Sequence, residues 1–488
     1  MEVASNQAKN CSQALKSLNT FDANYPPAKV VELLNREENV KLYNYITEDP
    51  FGAHHFPGTT ALEVSDFHFY VNEELEKGEE LFLWAYIPLC NYKCYYCQFP
   101  VVLQSSDPVN AQSRAKSWVD YNIKEAILWQ EKIPKLKTAP IGEFCLFGGT
   151  PTQIPMEELG RLIDFYKENF NFTQNSTIRV EGSPDSLTQE MLEFLYEKGC
   201  RKISYGIQSF NDELISLSGR GHSGQQAIDT LLNARKIGFE RITGDLIYGL
   251  VNQTISDFEK DVKTALEYQF DTVVTTKLHL GAYEKTGTAI SGISPAKWQN
   301  SEYREKLTLK GLRWPTLGEQ YQMRELAVKL FAQDDRSEYP TMYFQKKATG
   351  AERWKSLQVD QNRQNVEIGI GLGGSSHCAK ASGVVEVNPK FYQAAIEEGK
   401  IPLTVKGYDQ SSQEASSIRK SLSTCQPVFN SYHVNRFPEG NLLKGHWGKV
   451  FRDLERRELL SIDESSESIT LSQNGKTLVE AIMNTEIQ

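Results

Sequence analysis

From Leu81 to about Leu280 the sequence alternates six times between β-rich runs and amphipathic helical runs, and this alternation restricts the fold more than any other feature. The predicted strands are Phe82–Ile87, Glu143–Phe147, Thr177–Glu181, Lys202–Gly206, Arg241–Ile247 and Thr272–His279. Between them the helical stretches are Ala115–Gln130, Met156–Phe170, Leu187–Lys198, Gln225–Ile237 and Ile255–Tyr268. Strands that are each followed by a helix or a long loop pair in parallel through right-handed crossovers. The expected fold class is therefore α/β, a partial (β/α)6 TIM-type barrel, with a complete eight-fold barrel as the alternative.

The first strand, inside the apolar run Leu81-Phe82-Leu83-Trp84-Ala85-Tyr86-Ile87-Pro88, runs directly into Cys90-Asn91-Tyr92-Lys93-Cys94-Tyr95-Tyr96-Cys97. Three thiols in one loop after a strand are how a chain wraps a compact metal centre. Soft thiolates suit an iron–sulfur cluster or zinc. An odd local count argues against disulfides, and no fourth ligand for a closed zinc site stands nearby. Three protein ligands on a four-iron cluster leave one iron open.

Nearly every unusual polar residue of the repeat then falls at the carboxyl end of a strand, where barrels of this kind keep their chemistry. The second strand ends in Phe147-Gly148-Gly149-Thr150-Pro151-Thr152, a turn whose bare backbone allows close approach; a simple tight turn is the competing explanation. The third ends in Glu181-Gly182-Ser183, the fourth in Gly206-Ile207-Gln208 with Arg220 a little beyond, and the fifth contains Asp245. A carboxylate buried at a strand end is costly without a donor to meet it, so Glu181 and Asp245 point to a ligand. Singly, each of these residues fits a solvated rim network as well.

The cysteine spacing resembles that of the radical S-adenosylmethionine (SAM) superfamily, and the ordered strand-end set resembles its HemN-like branch. That branch includes oxygen-independent coproporphyrinogen III oxidase, HemW, HutW/ChuW and HemN-like methyltransferases and cyclopropanases. The resemblance covers 81–280 well and continues more weakly to the end. It implies a [4Fe-4S] cluster on Cys90, Cys94 and Cys97 with Tyr96 beside it, and SAM chelating the open iron and cleaved to a 5′-deoxyadenosyl radical. It further implies that Gly148, Gly149 and Thr150 contact the methionyl amino group and that Glu181, Gln208, Arg220 and Asp245 hold the rest of SAM. Trp84 stands where the oxidase has Tyr, and no role is carried to it.

Two departures bear on the reaction. The oxidase has a fourth cysteine two residues after the third, where this chain has Phe99; the heme chaperone has a His-Asn pair before its glycine run, where this chain has Leu357-Gln358-Val359. Both weaken the familiar heme roles. The leading expectation is methyl transfer or cyclopropanation of a small molecule through one or two SAM molecules, with tetrapyrrole modification or heme binding as the alternative. Gly369–Ser376 is expected to leave room for a second SAM. Its G-x-G-x-x-G match lacks the βαβ context and acidic residue of a dinucleotide site. His377 and Cys378 either face substrate or form a buried structural pair.

The remaining chain divides into 1–80, an N-terminal extension packing on the main domain; 81–300, the barrel; 301–440, a substrate-side region; and 441–488, a small winged-helix-like C-terminal domain. Thr316-Leu317-Gly318-Glu319 is a capping box opening a helix to about Ala332. His54 and His55 read as loop residues rather than ligands. A net charge of −10 over 488 residues gives no attraction for nucleic acid or anionic lipid. The longest apolar run, Leu81 to Leu89, is too short to span a bilayer, and Met1–Gln7 has no signal-peptide pattern. Cys11, Cys145, Cys200, Cys378 and Cys425 lack paired spacing and fit a reducing compartment. A cytoplasmic monomer is expected, using a small-molecule substrate and an electron donor such as flavodoxin or ferredoxin.

Overall fold

The computed structural model describes residues 16–48, 59–280, 296–346 and 366–488. Six parallel strands form its centre: β1 Leu81–Ile87, β2 Ile141–Gly148, β3 Thr177–Gly182, β4 Lys202–Gln208, β5 Arg241–Tyr248 and β6 Thr272–Lys277. Each lies within one or two residues of its predicted span at most ends. The helices that return the chain are α1 Pro108–Lys132, α2 Met156–Asn169, α3 Gln189–Glu197, α4 Gly224–Ile237 and α5 Ile255–Glu267. Their starts are fixed by side chains that accept from the first free N–H groups, among them Asp107, Thr188, Ser223 and Thr254.

Strand periodicity decides what faces each side. Leu81, Leu83, Ala85 and Ile87 of β1 and Phe144 and Leu146 of β2 belong to the apolar core. The alternate positions point inward, and there the barrel is polar. Arg179 of β3 donates to Glu143 of β2 at 3.2 Å, and Lys202 of β4 donates to the same carboxylate at 3.1 Å. Arg179 also stacks over Trp84 of β1, 5.1 Å from the ring centroid. Buried charges of this kind persist only when paired, as these are.

Beyond the six strands the sheet continues on both sides. Antiparallel β7 Arg336–Glu338 and β8 Tyr343–Lys346 extend it past β6, with β8 paired to β6. On the other side β9 Val366–Ile370 pairs with β1 in parallel, followed by antiparallel β10 Ser375–His377, β11 Ala381–Val385 and β12 Leu403–Tyr408. The strand order is linear from Thr59–Ala61, which pairs with β12, to β7. The sheet is an open half-barrel, which removes the eight-fold alternative among the described residues. A seventh parallel strand, β9, arises from the start of the glycine-rich run.

That run is not an open cradle. A Cβ on Gly369 would lie 2.5 Å from Ser375 N, one on Gly374 2.5 Å from Gly369 O, and one on Gly371 2.2 Å from Tyr86 O. Its glycines let backbone meet backbone in a tight β9–β10 turn. Cys378 is buried in the main core, and His377 shares a 3.1 Å hydrogen bond with Ser375. Cys378 thus belongs to the core, while His377 remains half-buried.

A second apolar cluster joins the two ends of the chain. Leu18, Val31, Leu34 and Leu42 pack with Ile418, Leu422, Trp447, Phe451 and Ile482. The N-terminal extension packs on the main domain through Phe67, Val71 and Leu75 of the helix Val64–Glu76, while its earlier part, Leu18 to Leu42, shares a core with the C-terminal segment. Its polar groups reach α6, Leu317–Gln333, where Gln322 receives from Asp22 N and donates to the carbonyls of Tyr25 and Pro26. The capping box at Thr316 and Glu319 opens α6 as the sequence implies. The C-terminal sheet orders Val428–Phe429, Ser468–Leu471 and Leu460–Asp463, so it draws a strand from before residue 441. His54, His55, Cys11 and Leu357–Val359 lie outside the described residues. Among the described residues no helix is long and apolar enough to cross a membrane.

Candidate functional site

The cysteine loop is clamped at its base. After β1, Leu89–Cys90 pairs in parallel with Val102–Leu103, Val102 N donating to Pro88 O at 2.7 Å and Gln104 N to Cys90 O at 2.8 Å. Gly148 and Gly149 at the end of β2 then press against the same backbone. Gly149 N donates to Ile87 O at 2.8 Å and Thr150 N to Leu89 O at 2.9 Å, and a Cβ on Gly149 would sit 2.5 Å from Leu89 O. Thr150 Oγ1 shares a 3.4 Å hydrogen bond with Cys90 Sγ. The fold shows these three residues, expected to meet SAM, bracing the loop.

Arg220 performs the matching task from the other side. Its Nη1 reaches Cys94 Sγ at 3.5 Å and Tyr96 OH at 3.1 Å, and its Nη2 donates to Gly206 O at 2.9 Å. Gly206 has no side chain to obstruct this: a Cβ there would be 2.3 Å from Gln208 Nε2 and 3.3 Å from Arg220 Nη1. Tyr95 is held by its N–H on Ser218 O, and its own carbonyl accepts from Trp298 N at 2.8 Å. Trp298, which no motif marks, closes over the Tyr96 ring at 6.1 Å between centroids.

The three thiols stand within electrostatic reach of one another. Burial, then the charge of Cys94, pushes the Cys97 thiol up to about 12; burial, opposed by Thr150 and reinforced by Cys94, pushes Cys90 up to about 11. A group of sulfurs in this setting becomes thiolate when a cation is there to bind. Among the described residues no three His, Cys, Asp or Glu side chains are arranged to hold a single metal ion. Three soft thiolate donors carried by one loop suit the irons of an iron–sulfur cluster.

Beside the loop, at the carboxyl ends of β2 to β6, lies a cavity of about 430 Å³. That size suits a small-molecule ligand. Tyr96 and Cys97 form its floor, and Glu181, Ser204, Gln208, Asp245 and Tyr343 form a polar wall. Phe99 and Phe147 form an apolar wall, packed edge to face at 5.4 Å, with Trp84 and Tyr86 behind Phe147 at 5.6 and 5.3 Å. Lys277 and His279 complete the lining. Of the residues expected to hold SAM, Tyr96, Glu181, Gln208 and Asp245 line this cavity, and Gly148, Gly149, Thr150 and Arg220 brace the cysteine loop.

Gln208 reaches the wall through a distortion. Pairing between β4 and β5 slips between Gly206 and Gln208, and Gln208 takes φ 69°, left-handed and costly for a side-chain-bearing residue. Asp261 of α5 secures the bend, accepting from Ser209 Oγ at 2.8 Å and Phe210 N at 2.7 Å. The acid pair is equally constrained. Glu181 accepts from Arg179 Nη1, and Ser204 hydrogen bonds to both Glu181 and Asp245. Burial first, and repulsion from Glu181 second, raises the Asp245 carboxyl well above the usual range; burial likewise raises Glu181, against the pull of Arg179. A cationic ligand with donor groups would relieve both.

Ser204, Phe147, Lys277, His279 and Tyr343 escaped the sequence reading. The inward parity of β4 could have found Ser204, two residues after Lys202. Tyr343 lies on β8, a strand with no periodic signal.

Comparison with known proteins agrees with this geometry. Residues 84–265 match the Radical SAM superfamily model. The chain is 27% identical over 402 residues to the heme chaperone HemW of Bacillus subtilis, covering 81% of this chain and 96% of that protein. It is 34% identical over 197 residues to HemW of Lactococcus lactis, 40% of this chain and 48% of that one. To the oxygen-independent coproporphyrinogen III oxidase of Salmonella typhimurium it is 28% identical over 236 residues, 48% of this chain and 49% of that enzyme. The chain therefore spans nearly all of the first relative and about half the length of the other two. The solved structure of coproporphyrinogen III oxidase (HemN) from Escherichia coli superposes with a TM-score of 0.72 at 20% identity, covering 88% of this chain and 96% of that one, and shares its fold.

Proposed function

We propose, on the premise that this chain carries a radical SAM domain at residues 84–265 and has the fold of HemN, that it is a radical SAM enzyme whose substrate is a tetrapyrrole. The carrying observation is the convergence of Cys97, Tyr96, Gln208, Glu181 and Asp245 on one cavity at the strand ends. Similarity to a heme chaperone along most of the chain and to a coproporphyrinogen oxidase along half of it supports the substrate class.

When bound on Cys90, Cys94 and Cys97, a [4Fe-4S] cluster with SAM supplies a 5′-deoxyadenosyl radical, given one electron from a donor of flavodoxin or ferredoxin type. The chain's own residues do the positioning. Thr150 and Arg220 fix two of the sulfurs; Glu181 and Asp245 accept from the ammonium and hydroxyl donors of SAM. Phe99, Phe147 and Trp84 keep water from the reacting space. Methyl transfer loses part of the observation that prompted it, because the glycines of Gly369–Ser376 are taken up by backbone packing.

A second reading, a heme-binding protein that retains the cluster, is favoured by the HemW match and by Phe99 at the place of the oxidase's fourth cysteine. Anaerobic incubation of iron-loaded protein with reductant, SAM and coproporphyrinogen III separates the two. The enzyme reading expects 5′-deoxyadenosine together with a mass change in the tetrapyrrole. Tight heme binding with an unaltered tetrapyrrole selects the second reading, and the absence of any tetrapyrrole interaction ends both.

A further inference from the structure

A cavity of about 430 Å³ holds one small-molecule ligand. With SAM on the polar wall of Glu181, Gln208 and Asp245, a four-ring macrocycle has to sit where the cavity opens. Phe99 marks that opening. Among the described residues that line the cavity it alone is exposed, at 45%.

Single exposed apolar side chains are ordinary on protein surfaces, but Phe99 is the outer member of a cluster of rings. Its plane stands at 82° to that of Phe147, and Phe147 stands at 85° to Trp84 and 80° to Tyr86. Phe147 is thereby fixed from three sides, and Phe99 and Phe147 form a right-angled corner. A flat ligand stacked on one of these rings is perpendicular to the other, and both are favoured aromatic geometries.

The backbone beneath Phe99 is held on both sides. Its N–H donates to the Cys97 sulfur. Pro100 packs on Gly373, where a Cβ would lie 2.7 Å from Pro100 Cγ, and Val102 N donates to Pro88 O at 2.7 Å. An aromatic side chain on so fixed a segment gives up little freedom when a ligand covers it.

We infer that Phe99 is the ring seat of the substrate: the macrocycle lies against its exposed ring at the cavity mouth, with Phe147 completing the corner, and the reacting carbon turns inward toward the polar wall. The inference rests on the tetrapyrrole reading and deepens it by naming the residue that sets the plane of the ring. Because Cys97, Gln98 and Phe99 are consecutive, the seat and a cluster ligand share one short stretch of chain, which fixes the substrate's offset from the source of the radical.

The test is anaerobic fluorescence titration of the iron-loaded full chain, with SAM present, by coproporphyrin III. Phe99→Ala should bind it about tenfold more weakly than wild type, Phe99→Leu, which restores apolar area without an aromatic face, about threefold more weakly, and Phe99→Tyr as wild type does. All three should keep wild-type iron content, since the N–H on Cys97 belongs to the main chain. Wild-type affinity in iron-replete Phe99→Ala and Phe99→Leu overturns the seat and leaves the tetrapyrrole reading standing. So does a Phe99→Ala variant that loses iron and porphyrin together while iron-replete Phe99→Leu binds as wild type, because the effect then runs through the loop. Failure of wild type to bind the porphyrin overturns the seat and the tetrapyrrole reading together.

Discussion

Replacing Asp245 with Asn separates a ligand-holding carboxylate from a structural one by the sign of two effects. The charges acting on Asp245 are Glu181, which opposes it, and Arg179 and Arg220, which favour it; Ser204 is its hydrogen-bond partner. Burial and repulsion together outweigh that support, since the carboxyl is raised well above its usual range. Removing the charge therefore relieves the free protein, and Asp245→Asn should melt no lower than wild type. In the SAM complex the same carboxylate is expected to accept charge-assisted hydrogen bonds, each worth about 1.5–3 kcal/mol, so affinity should fall by roughly 10- to 150-fold. Anaerobic calorimetry of iron-loaded protein with SAM measures the second effect, and differential scanning fluorimetry of the free protein the first. A variant that melts lower yet binds SAM as wild type would refute the reasoning and assign Asp245 to the framework.

Gly149→Ala places a methyl group 2.5 Å from Leu89 O, a backbone atom at the base of the cysteine loop, and overpacking of that kind costs about 1–3 kcal/mol. Iron content after reconstitution should drop along with the melting temperature; wild-type values of both would show that the strand end tolerates a side chain. Buried Glu125 accepts from Trp129 Nε1, Tyr392 OH and Gly371 N at 2.8–2.9 Å, and burial raises its carboxyl to about 7; Asp261 is raised to about 7 for the same reason. Folded protein thus holds these protons more tightly than unfolded chain, so the stabilisation is full below about pH 4 and is lost as pH rises to about 7. Thermal melts should fall across that window, with a shallower slope in Glu125→Gln; an identical slope would contradict the assignment.

Six strands were legible because each carries a run of apolar residues on its helix-facing side, as Leu81, Leu83 and Ala85 do in β1, and because Gly, Asn or Thr caps punctuate the turns. The site was legible where chemistry concentrates in adjacent letters: Cys90, Cys94 and Cys97 in one loop, or Gly148-Gly149-Thr150 at one strand end. Roles were harder to read than positions. Gly149 looks the same in sequence whether or not it must admit the carbonyl of Leu89, and only the packed distance reveals that it does. Gly369–Ser376 carries the same ambiguity, its glycines admitting one another and Tyr86. Tyr343 and Lys277 lie 66 positions apart on different strands. Nothing local brings them to one cavity, so no motif could have announced them. The joint core of the two chain ends is invisible for the same reason, since Leu34 and Phe451 meet only through the tertiary fold.

The central claim is that Cys90, Cys94 and Cys97 hold the cluster that cleaves SAM. The most direct measurement is 5′-deoxyadenosine formed anaerobically with reductant and SAM, quantified by mass spectrometry beside iron content, in wild type and in the variant with all three cysteines replaced by Ala. Wild type should contain iron and form 5′-deoxyadenosine in a reductant-dependent way, while the variant remains folded and does neither. Iron retention and undiminished SAM cleavage in the triple variant would contradict the account.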